Sequence, residues 1–166
     1  DLVLGPAVNL ERNPLCGRNV EYLSEDPLLA GRLGGAYIRG VQSQQVGACI
    51  KHFAANNQET EREYLNVICE EDALRDLYLK AFEIAIREGK PAAVMTSLSK
   101  INGTYCAENR WLFDILRNMR DDGCSIIIIT HKLQEVLALS DRVAILRKGQ
   151  YIDTVETAQA NVQSLS

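Results

Sequence analysis

Polar residues that could bind a ligand gather in three segments of the sequence, residues 17–27, 51–62 and 95–105. The first segment contains Arg18, and the second opens with Lys51 and His52. Arg, Lys and His side chains donate hydrogen bonds, which suits them to the hydroxyl oxygens of a sugar. A single charged loop usually does no more than face solvent. The three segments therefore predict a site only if the fold brings them together.

The stretches that must position these loops alternate between strand and helix patterns. Short apolar runs predict strands at residues 2–10, 46–53, 92–97, 125–130 and 142–146, the first of them broken by Gly5-Pro6. Apolar residues at helical spacing predict helices at residues 28–41, 70–88, 109–121 and 133–139. Gly89 and Pro91 are expected to end the helix with the clearest pattern. Turns are predicted at Asn102-Gly103 and at Lys148-Gly149, the latter leading into an extended segment at 151–155.

This order of strands and helices predicts the fold class. Strand–helix–strand repeats form right-handed units around a mostly parallel sheet, which is the α/β class. A closed eight-stranded barrel takes ~250 residues. The 166 residues of this chain therefore predict an incomplete (β/α) barrel or an open parallel sheet of about five strands. An open sheet has two unpaired edges, so we also expect self-association through those edges.

Charge and apolar content exclude several classes of protein. The chain has 18 Lys and Arg against 22 Asp and Glu, a net charge of −4, which argues against binding nucleic acid or an anionic membrane through bulk charge. Apolar residues make up 46% of the chain, enough to build a core and to exclude wholesale disorder. No apolar run approaches the ~20 residues of a membrane span. No charged-then-apolar leader opens the sequence, so no signal peptide is expected.

The cysteines and histidines predict neither a metal site nor a cofactor. Five cysteines lie far apart in the sequence, namely Cys16, Cys49, Cys69, Cys106 and Cys124. No two of them have the spacing of a metal clip, and the chain contains only two histidines. Scattered cysteines in odd number are typical of reduced thiols, so we expect a cytoplasmic location.

The order and spacing of the three polar segments resemble those of a known family. The relevant stretches read GPAVNLERNPLCGRNVEYLSEDPLLAG, YIRGVQSQQVGACIKHFAANNQETER and VMTSLSKINGTYCAENRWL. Over residues 1–112 the chain resembles the N-terminal barrel domain of family 3 glycoside hydrolases, typified by bacterial β-glucosidases. By this resemblance Arg18, Lys51 and His52 bind the hydroxyls of the sugar at the cleavage point. Arg62 and Met95 match residues near the same pocket.

The chain departs from the family pattern where catalysis takes place. Leu98 stands where family members have a Tyr that helps to position the nucleophile. The predicted strand at 125–130 is followed by His131, whereas the family strand ends in Ser-Asp-Trp with the nucleophilic Asp. The family's acid/base carboxyl usually lies in a later domain. Retaining hydrolysis needs two carboxyls about 5 Å apart, so we assign no catalytic residue and expect the chain alone to be inactive.

Residues 113–166 resemble a different family. The stretch LFDILRNMRDDGCSIIIITHKLQEVLALSDRVAILRKGQYIDTV is similar to the C-terminal end of an ATP-binding subunit of an ABC transporter, of the sugar or nucleoside importer type. By this resemblance His131 matches the switch histidine that senses the γ-phosphate. The chain lacks the Gly-rich loop with Lys that cradles phosphates, so no nucleotide binding is expected.

Three hypotheses follow for function. The first is a fragment of a β-glucosidase-like glycoside hydrolase that keeps part of its sugar pocket, and the second is a fragment of an ABC-importer ATPase. The third is a chimera of the two, joined near residue 112, without selected activity. The expected partner is a small β-glucoside, bound weakly if at all, with no nucleic acid.

Overall fold

The computed structural model describes residues 1–119, 137, 140–147, 150–161 and 163. The chain forms two compact units, Asp1–Ile128 and Ile129–Ser166. The strand predicted at 125–130, most of the helix predicted at 133–139 and His131 lie outside the described residues. Among the helices of the described part, none is both long enough and apolar enough to cross a membrane.

The first unit is built on a parallel sheet. Strands β1 (Leu2–Val3), β2 (Gly47–Phe53) and β4 (Ala93–Thr96) lie in the order β1–β2–β4, and both pairs are parallel. Helix α1 (Pro27–Gln42) connects β1 to β2. The α/β class with a parallel sheet is therefore confirmed, and the described residues form no closed barrel.

The strand predicted at 2–10 is interrupted in the structure, as expected from the predicted break at Gly5-Pro6, and its regular part is shorter than predicted. Strand β1 ends at Val3, because Pro6 has no N–H group with which to continue a regular ladder. The chain nevertheless keeps running beside β2. Lys51 donates its backbone N–H to the carbonyl of Pro6 at 2.9 Å and accepts a bond from the N–H of Val8 at 3.0 Å. This pairing holds the segment after Pro6 against the strand that carries Lys51 and His52.

The helix predicted at 70–88 forms three consecutive segments of different pitch. It begins as α2 (Glu71–Ala73), passes through a π-helical segment at Leu74–Tyr78 and continues as α3 (Lys80–Gly89). Lys90, rather than Gly89, has the left-handed conformation that ends the helix, with φ 50°. The helix therefore ends at Gly89, where the sequence predicted its end.

A small second sheet forms where only loops and a turn were predicted. Strand β3 (Asn66–Val67) pairs in parallel with β5 (Lys100–Ile101), which forms a hairpin with β6 (Thr104–Tyr105). The predicted turn at Asn102-Gly103 joins these two strands, and both residues have positive φ, 49° and 90°. Such a turn favours Asn followed by Gly because both residues tolerate the left-handed region. A 3₁₀ turn at Cys106–Glu108 then leads into α4 (Arg110–Met119), which runs unbroken through the predicted join at residue 112.

The core of the first unit lies between the parallel sheet and helices α1, α3 and α4. Phe53, at the end of β2, meets Phe82 of α3 edge to face, with the ring centroids 5.1 Å apart and the rings at 87°. Both side chains are fully buried. Edge-to-face pairs of this kind are stabilising beyond the area that they bury. The pair fixes the carboxyl end of β2, the residue directly after His52.

The second unit contains an antiparallel hairpin in its described part. Strand β7 (Arg142–Arg147) pairs with β8 (Gln150–Glu156), and a 3₁₀ turn follows at Thr157–Gln159. The strand predicted at 142–146 and the extended segment at 151–155 both lie within these strands. The turn predicted at Lys148-Gly149 lies outside the described residues.

Two glycines of α1 provide a matched test of helix packing. A Cβ at Gly31 would lie 2.7 Å from Ile84 Cβ and 3.0 Å from the backbone oxygen of Ala81, both on α3, whereas a Cβ at Gly40 would meet nothing within 4 Å. We expect Gly31→Ala to lower the free energy of unfolding by ~1–3 kcal/mol through overpacking. Gly40→Ala should raise it by up to ~1 kcal/mol, because Ala favours the helix over Gly. Urea unfolding of both variants checks this, and equal effects would contradict the packing described for α1 and α3.

Candidate active site

The candidate site lies at the carboxyl end of the parallel sheet, where parallel α/β folds commonly bind ligands. Lys51 and His52 are consecutive residues near the end of β2. Arg18 lies on the loop before α1, and Arg62 lies on the loop after β2. These four side chains, all predicted from the sequence, share one connected network.

Two carboxylates join the cations of this network. Glu21 accepts from Arg18 Nη1 at 2.7 Å and forms an ion pair with Lys51 Nζ at 3.2 Å. Glu59 accepts from Arg62 Nη1 at 2.8 Å and forms an ion pair with Arg18 Nε at 3.0 Å. All five side chains are at least two-thirds buried. Positive and negative groups therefore alternate along the chain of ion pairs, with Arg18 at its centre. Together with His52 they form what we call the Arg18 network.

His52 belongs to this network through its ring. Arg18 Nη1 lies 3.0 Å from His52 Nε2. A guanidinium can only donate, so Nε2 is the acceptor and the proton of the neutral ring lies on Nδ1. His52 Nδ1 is buried and has no hydrogen-bond partner among the described residues. Burial, together with the positive charges of Arg18 and Lys51, lowers the pKa of His52 to about 4. His52 is therefore neutral at physiological pH.

The backbone of His52 is held by a residue that the sequence did not indicate. Asn9 accepts from the His52 N–H with its Oδ1 at 2.9 Å and donates its Nδ2 to the His52 carbonyl at 2.9 Å. Asn9 is itself buried. It lies on the segment that pairs with β2 after Pro6. These two hydrogen bonds fix the peptide on both sides of His52 and so fix the direction of its side chain.

A buried polar cluster underlies Glu59. Asn56 donates its Nδ2 to Glu59 Oε1 at 2.8 Å and to the hydroxyl of Tyr22 at 3.0 Å. The Tyr22 hydroxyl in turn donates to the backbone carbonyl of Asn56 at 2.6 Å. Ser97, directly after β4, donates to Asn56 Oδ1 at 3.4 Å and shares a hydrogen bond with Ser99 at 2.8 Å. The loops before α1, after β2 and after β4 therefore meet at the buried side-chain amide of Asn56.

Both carboxylates of the Arg18 network, Glu21 and Glu59, have a pKa below the ordinary value of a Glu side chain. Burial alone would raise the pKa of Glu21, but hydrogen bonds and charges from Arg18 and Lys51 outweigh it and lower this pKa. Burial opposes the same shift at Glu59, where hydrogen bonds from Asn56 and Arg18 and the charges of Arg18 and Arg62 lower the pKa. Neither carboxyl can act as a proton donor near neutral pH, because a general acid needs a raised pKa.

The sequence prediction located the cations of the site but not the groups that hold them. Met95 lies half-buried on β4, and no described hydrogen bond or ion pair joins it to the other predicted residues. The carboxylates Glu21 and Glu59 lie within the polar segments 17–27 and 51–62 but were not assigned to the site. Each stands three positions from an Arg, a spacing at which side chains can pair. In the part of the chain that the structure describes, no group of three His, Cys, Asp or Glu side chains could hold a metal ion.

Comparison with known proteins identifies the family. The model of the glycosyl hydrolase family 3 N-terminal domain matches residues 1–163. The chain belongs to glycoside hydrolase family 3. The match includes most of residues 113–166, for which the sequence predicted the C-terminal end of an ABC-transporter ATPase. The ATPase assignment and the boundary at residue 112 stay predictions from the sequence.

Family 3 relatives of different specificity are similar to this chain. It is 52% identical over 118 residues to thermostable β-glucosidase B of Acetivibrio thermocellus, which covers 70% of this chain and 16% of that protein. It is 48% identical over 118 residues to an exo-α-(1→6)-L-arabinopyranosidase of Bifidobacterium longum, with the same coverage. The chain thus spans about a sixth of the length of these relatives.

Solved family 3 structures share the fold. β-Glucosidase 3B of Thermotoga neapolitana, solved with α-D-glucose, superposes with a TM-score of 0.79 at 48% identity, over 84% of this chain and 20% of that one. The β-glucosidase of Bifidobacterium adolescentis gives a TM-score of 0.78 at 42% identity, over 83% of this chain and 21% of that one. Most of the chain therefore shares its fold with part of these family 3 structures.

The depressed pKa of His52 predicts how stability depends on pH. In the unfolded chain the imidazole titrates near its ordinary value of about 6.5, whereas in the folded chain its pKa is about 4. The unfolded state therefore binds more protons between these values, so the contribution is complete above pH ~6.5 and is lost as the pH falls. We expect ~2 kcal/mol of unfolding free energy to be lost between pH 7 and pH 5.

Urea unfolding at the two pH values measures this loss. His52→Gln should be nearly insensitive to pH over the same interval, because its side chain does not titrate and the carboxylates of the network remain ionised there. An equal pH dependence in the parent chain and in His52→Gln would show that His52 is not the group responsible.

Proposed function

We propose that this chain is the part of a family 3 β-glycosidase that recognises the sugar ring, binding a pyranose through Arg18, Lys51 and His52. The observation that supports this most strongly is the connected network in which these three side chains lie, at the ligand-binding end of the sheet. Such a site recognises a sugar because its cations are already oriented before the sugar arrives, which reduces the ordering cost of binding.

The cations of the Arg18 network have N–H groups beyond those used in the described contacts, and these groups can donate hydrogen bonds to a ligand. The bonds described use Nε and Nη1 of Arg18, which leaves its Nη2 group for a sugar hydroxyl. Lys51 has three ammonium protons and uses one of them for Glu21. Arg62 binds Glu59 through Nη1 and keeps further donors on its guanidinium. The carboxylates, in contrast, are occupied by these cations. The site therefore presents donors, to which sugar oxygens can act as acceptors.

We propose binding without hydrolysis for the chain as it stands. Retaining cleavage of a glycoside needs one carboxyl as a nucleophile and a second, protonated one as an acid. Glu21 and Glu59 have lowered pKa values and are held in ion pairs, so neither suits the acid role. Leu98, half-exposed after β4, replaces the Tyr expected from the family pattern. Whole family 3 enzymes are much longer, and hydrolysis in a longer protein would need carboxyls from outside the network.

The class of sugar follows from the relatives only in broad terms. The names of the relatives include both a glucosidase and an L-arabinopyranosidase. The sugars of both enzymes are pyranoses, six-membered rings that carry several hydroxyl groups. We take β-glucosides as the first candidates because the structural relative from Thermotoga neapolitana was solved with glucose. A cytoplasmic location and self-association through sheet edges remain predictions from the sequence.

Titration with glucose tests the proposed site. We expect chemical-shift changes on the loop of Arg18 and at the end of β2 around Lys51, with a dissociation constant of about 1 mM or weaker, equivalent to ~4 kcal/mol or less. Lys51→Ala should abolish these changes. Lys80→Ala, which removes an exposed ammonium paired with Glu83 on α3, should leave them as in the parent chain. L-Arabinose in a parallel titration compares the two classes of sugar.

The same samples should release the aglycone of an aryl β-glucoside only at the background rate. Shift changes that are absent at high sugar, or that are equal in the parent chain and Lys51→Ala, would contradict the proposed site. Turnover at ~1 s⁻¹ or faster, as is typical of enzymes, would contradict binding without hydrolysis.

A further inference from the structure

We propose that Glu59 is the positioning residue of this site: its carboxylate holds the Arg18 guanidinium against Nε2 of His52 and thereby fixes the Nδ1–H tautomer of the imidazole. The inference rests on the proposed function, because it concerns the orientation of two of the proposed sugar-binding side chains. It assigns a role to a residue that neither the sequence pattern nor the proposed contacts with sugar include.

Glu59 connects two cations of the site, Arg18 and Arg62, to the buried residue Asn56. Its Oε2 accepts from Arg62 Nη1 at 2.8 Å and forms an ion pair with Arg18 Nε at 3.0 Å. Its Oε1 accepts from Asn56 Nδ2 at 2.8 Å. Charge-assisted bonds of this length are among the stronger hydrogen bonds in proteins. The carboxylate is therefore fixed on one side by an amide and on the other by two guanidinium groups.

The amide that orients Glu59 is itself rigidly placed. Asn56 is 2% exposed, and it exchanges hydrogen bonds with Tyr22 through both its side chain and its carbonyl. Glu21 differs in this respect. The contacts described for its carboxylate are with Arg18 and Lys51, two long side chains that can move with it. Of the two carboxylates, Glu59 is thus the one that can dictate where the guanidinium lies.

The position of Arg18 decides the protonation pattern of His52. With Nε held by Glu59, the planar guanidinium directs Nη1 at His52 Nε2, 3.0 Å away. An always-protonated donor at Nε2 requires the imidazole proton to lie on Nδ1. The buried Nδ1 finds no acceptor among the described residues, so no described contact on that side favours a proton there. The Nδ1–H tautomer is therefore imposed by Arg18, and it should be lost when Arg18 is released.

Long-range ¹H–¹⁵N correlation spectra of the imidazole test the proposal without any sugar. The chain has two histidines, so the signals of His52 are assigned as those that disappear in His52→Asn. At pH 7 we expect the Nδ1–H pattern in the parent chain. In Glu59→Gln, which keeps the shape of the side chain but removes its charge, this pattern should give way to a mixture with the Nε2–H tautomer.

Glu63→Gln is the matched control, because Glu63 lies on the same loop and is exposed. It should keep the tautomer of the parent chain. An unchanged tautomer in Glu59→Gln, or the same change in Glu63→Gln, would overturn the proposal. If Glu59→Gln does not fold, Glu59→Asp decides the question. It keeps the charge but is too short to reach both Asn56 and Arg18, so it should also show the mixture, and an unchanged tautomer there would overturn the proposal.

The outcome is separable from that of the sugar titration. A change of tautomer in Glu59→Gln together with an absence of glucose binding would contradict the proposed function and leave the role of Glu59 intact. Glucose binding in a chain whose tautomer does not depend on Glu59 would contradict the positioning role alone.

Discussion

The guanidinium of Arg18, held between two carboxylates and against a neutral imidazole, is the interaction on which the site depends. It joins the loop before α1 to the loop after β2 through bonds of 2.7–3.0 Å. The cation also contributes to keeping His52 uncharged, since a second positive charge beside it would be repelled. Largely buried ion pairs stabilise only when their remaining polar groups are satisfied, and here Asn56 and Lys51 supply the additional contacts.

The surrounding fold holds in place the backbone of the residues that form the Arg18 network. Asn9 clamps the peptide of His52 on both sides, and the edge-to-face contact of Phe53 with Phe82 anchors the next residue to the core. Close packing of α1 on α3, which requires a glycine at position 31, fixes the helix that follows the Arg18 loop. Core packing and site geometry thus meet at single residues, Phe53 in the core standing directly after His52 in the site.

The sequence predicted the repeating elements well, because apolar spacing records which face of a helix or strand is buried. It predicted the turn at Asn102-Gly103, and the resemblance to family 3 pointed to Arg18, Lys51 and His52, which the structure brings into one network. It did not predict the π-helical segment at Leu74–Tyr78. It also did not predict the short strands of the second sheet, because two-residue strands leave no periodic signal in the sequence. The positioning groups Asn9 and Asn56 were also missed, since their partners lie far away in sequence and only the folded chain brings them together.

A double-mutant cycle between Arg18 and Glu59 tests most directly whether this ion pair organises the site. Unfolding free energies are measured in urea for the parent chain, Arg18→Gln, Glu59→Gln and the double variant. Residues in direct contact within one network typically show coupling of ~0.5–3 kcal/mol, and we predict a favourable coupling within that range. A coupling indistinguishable from zero would show that the two side chains act independently and would contradict the organising role of the Arg18–Glu59 ion pair.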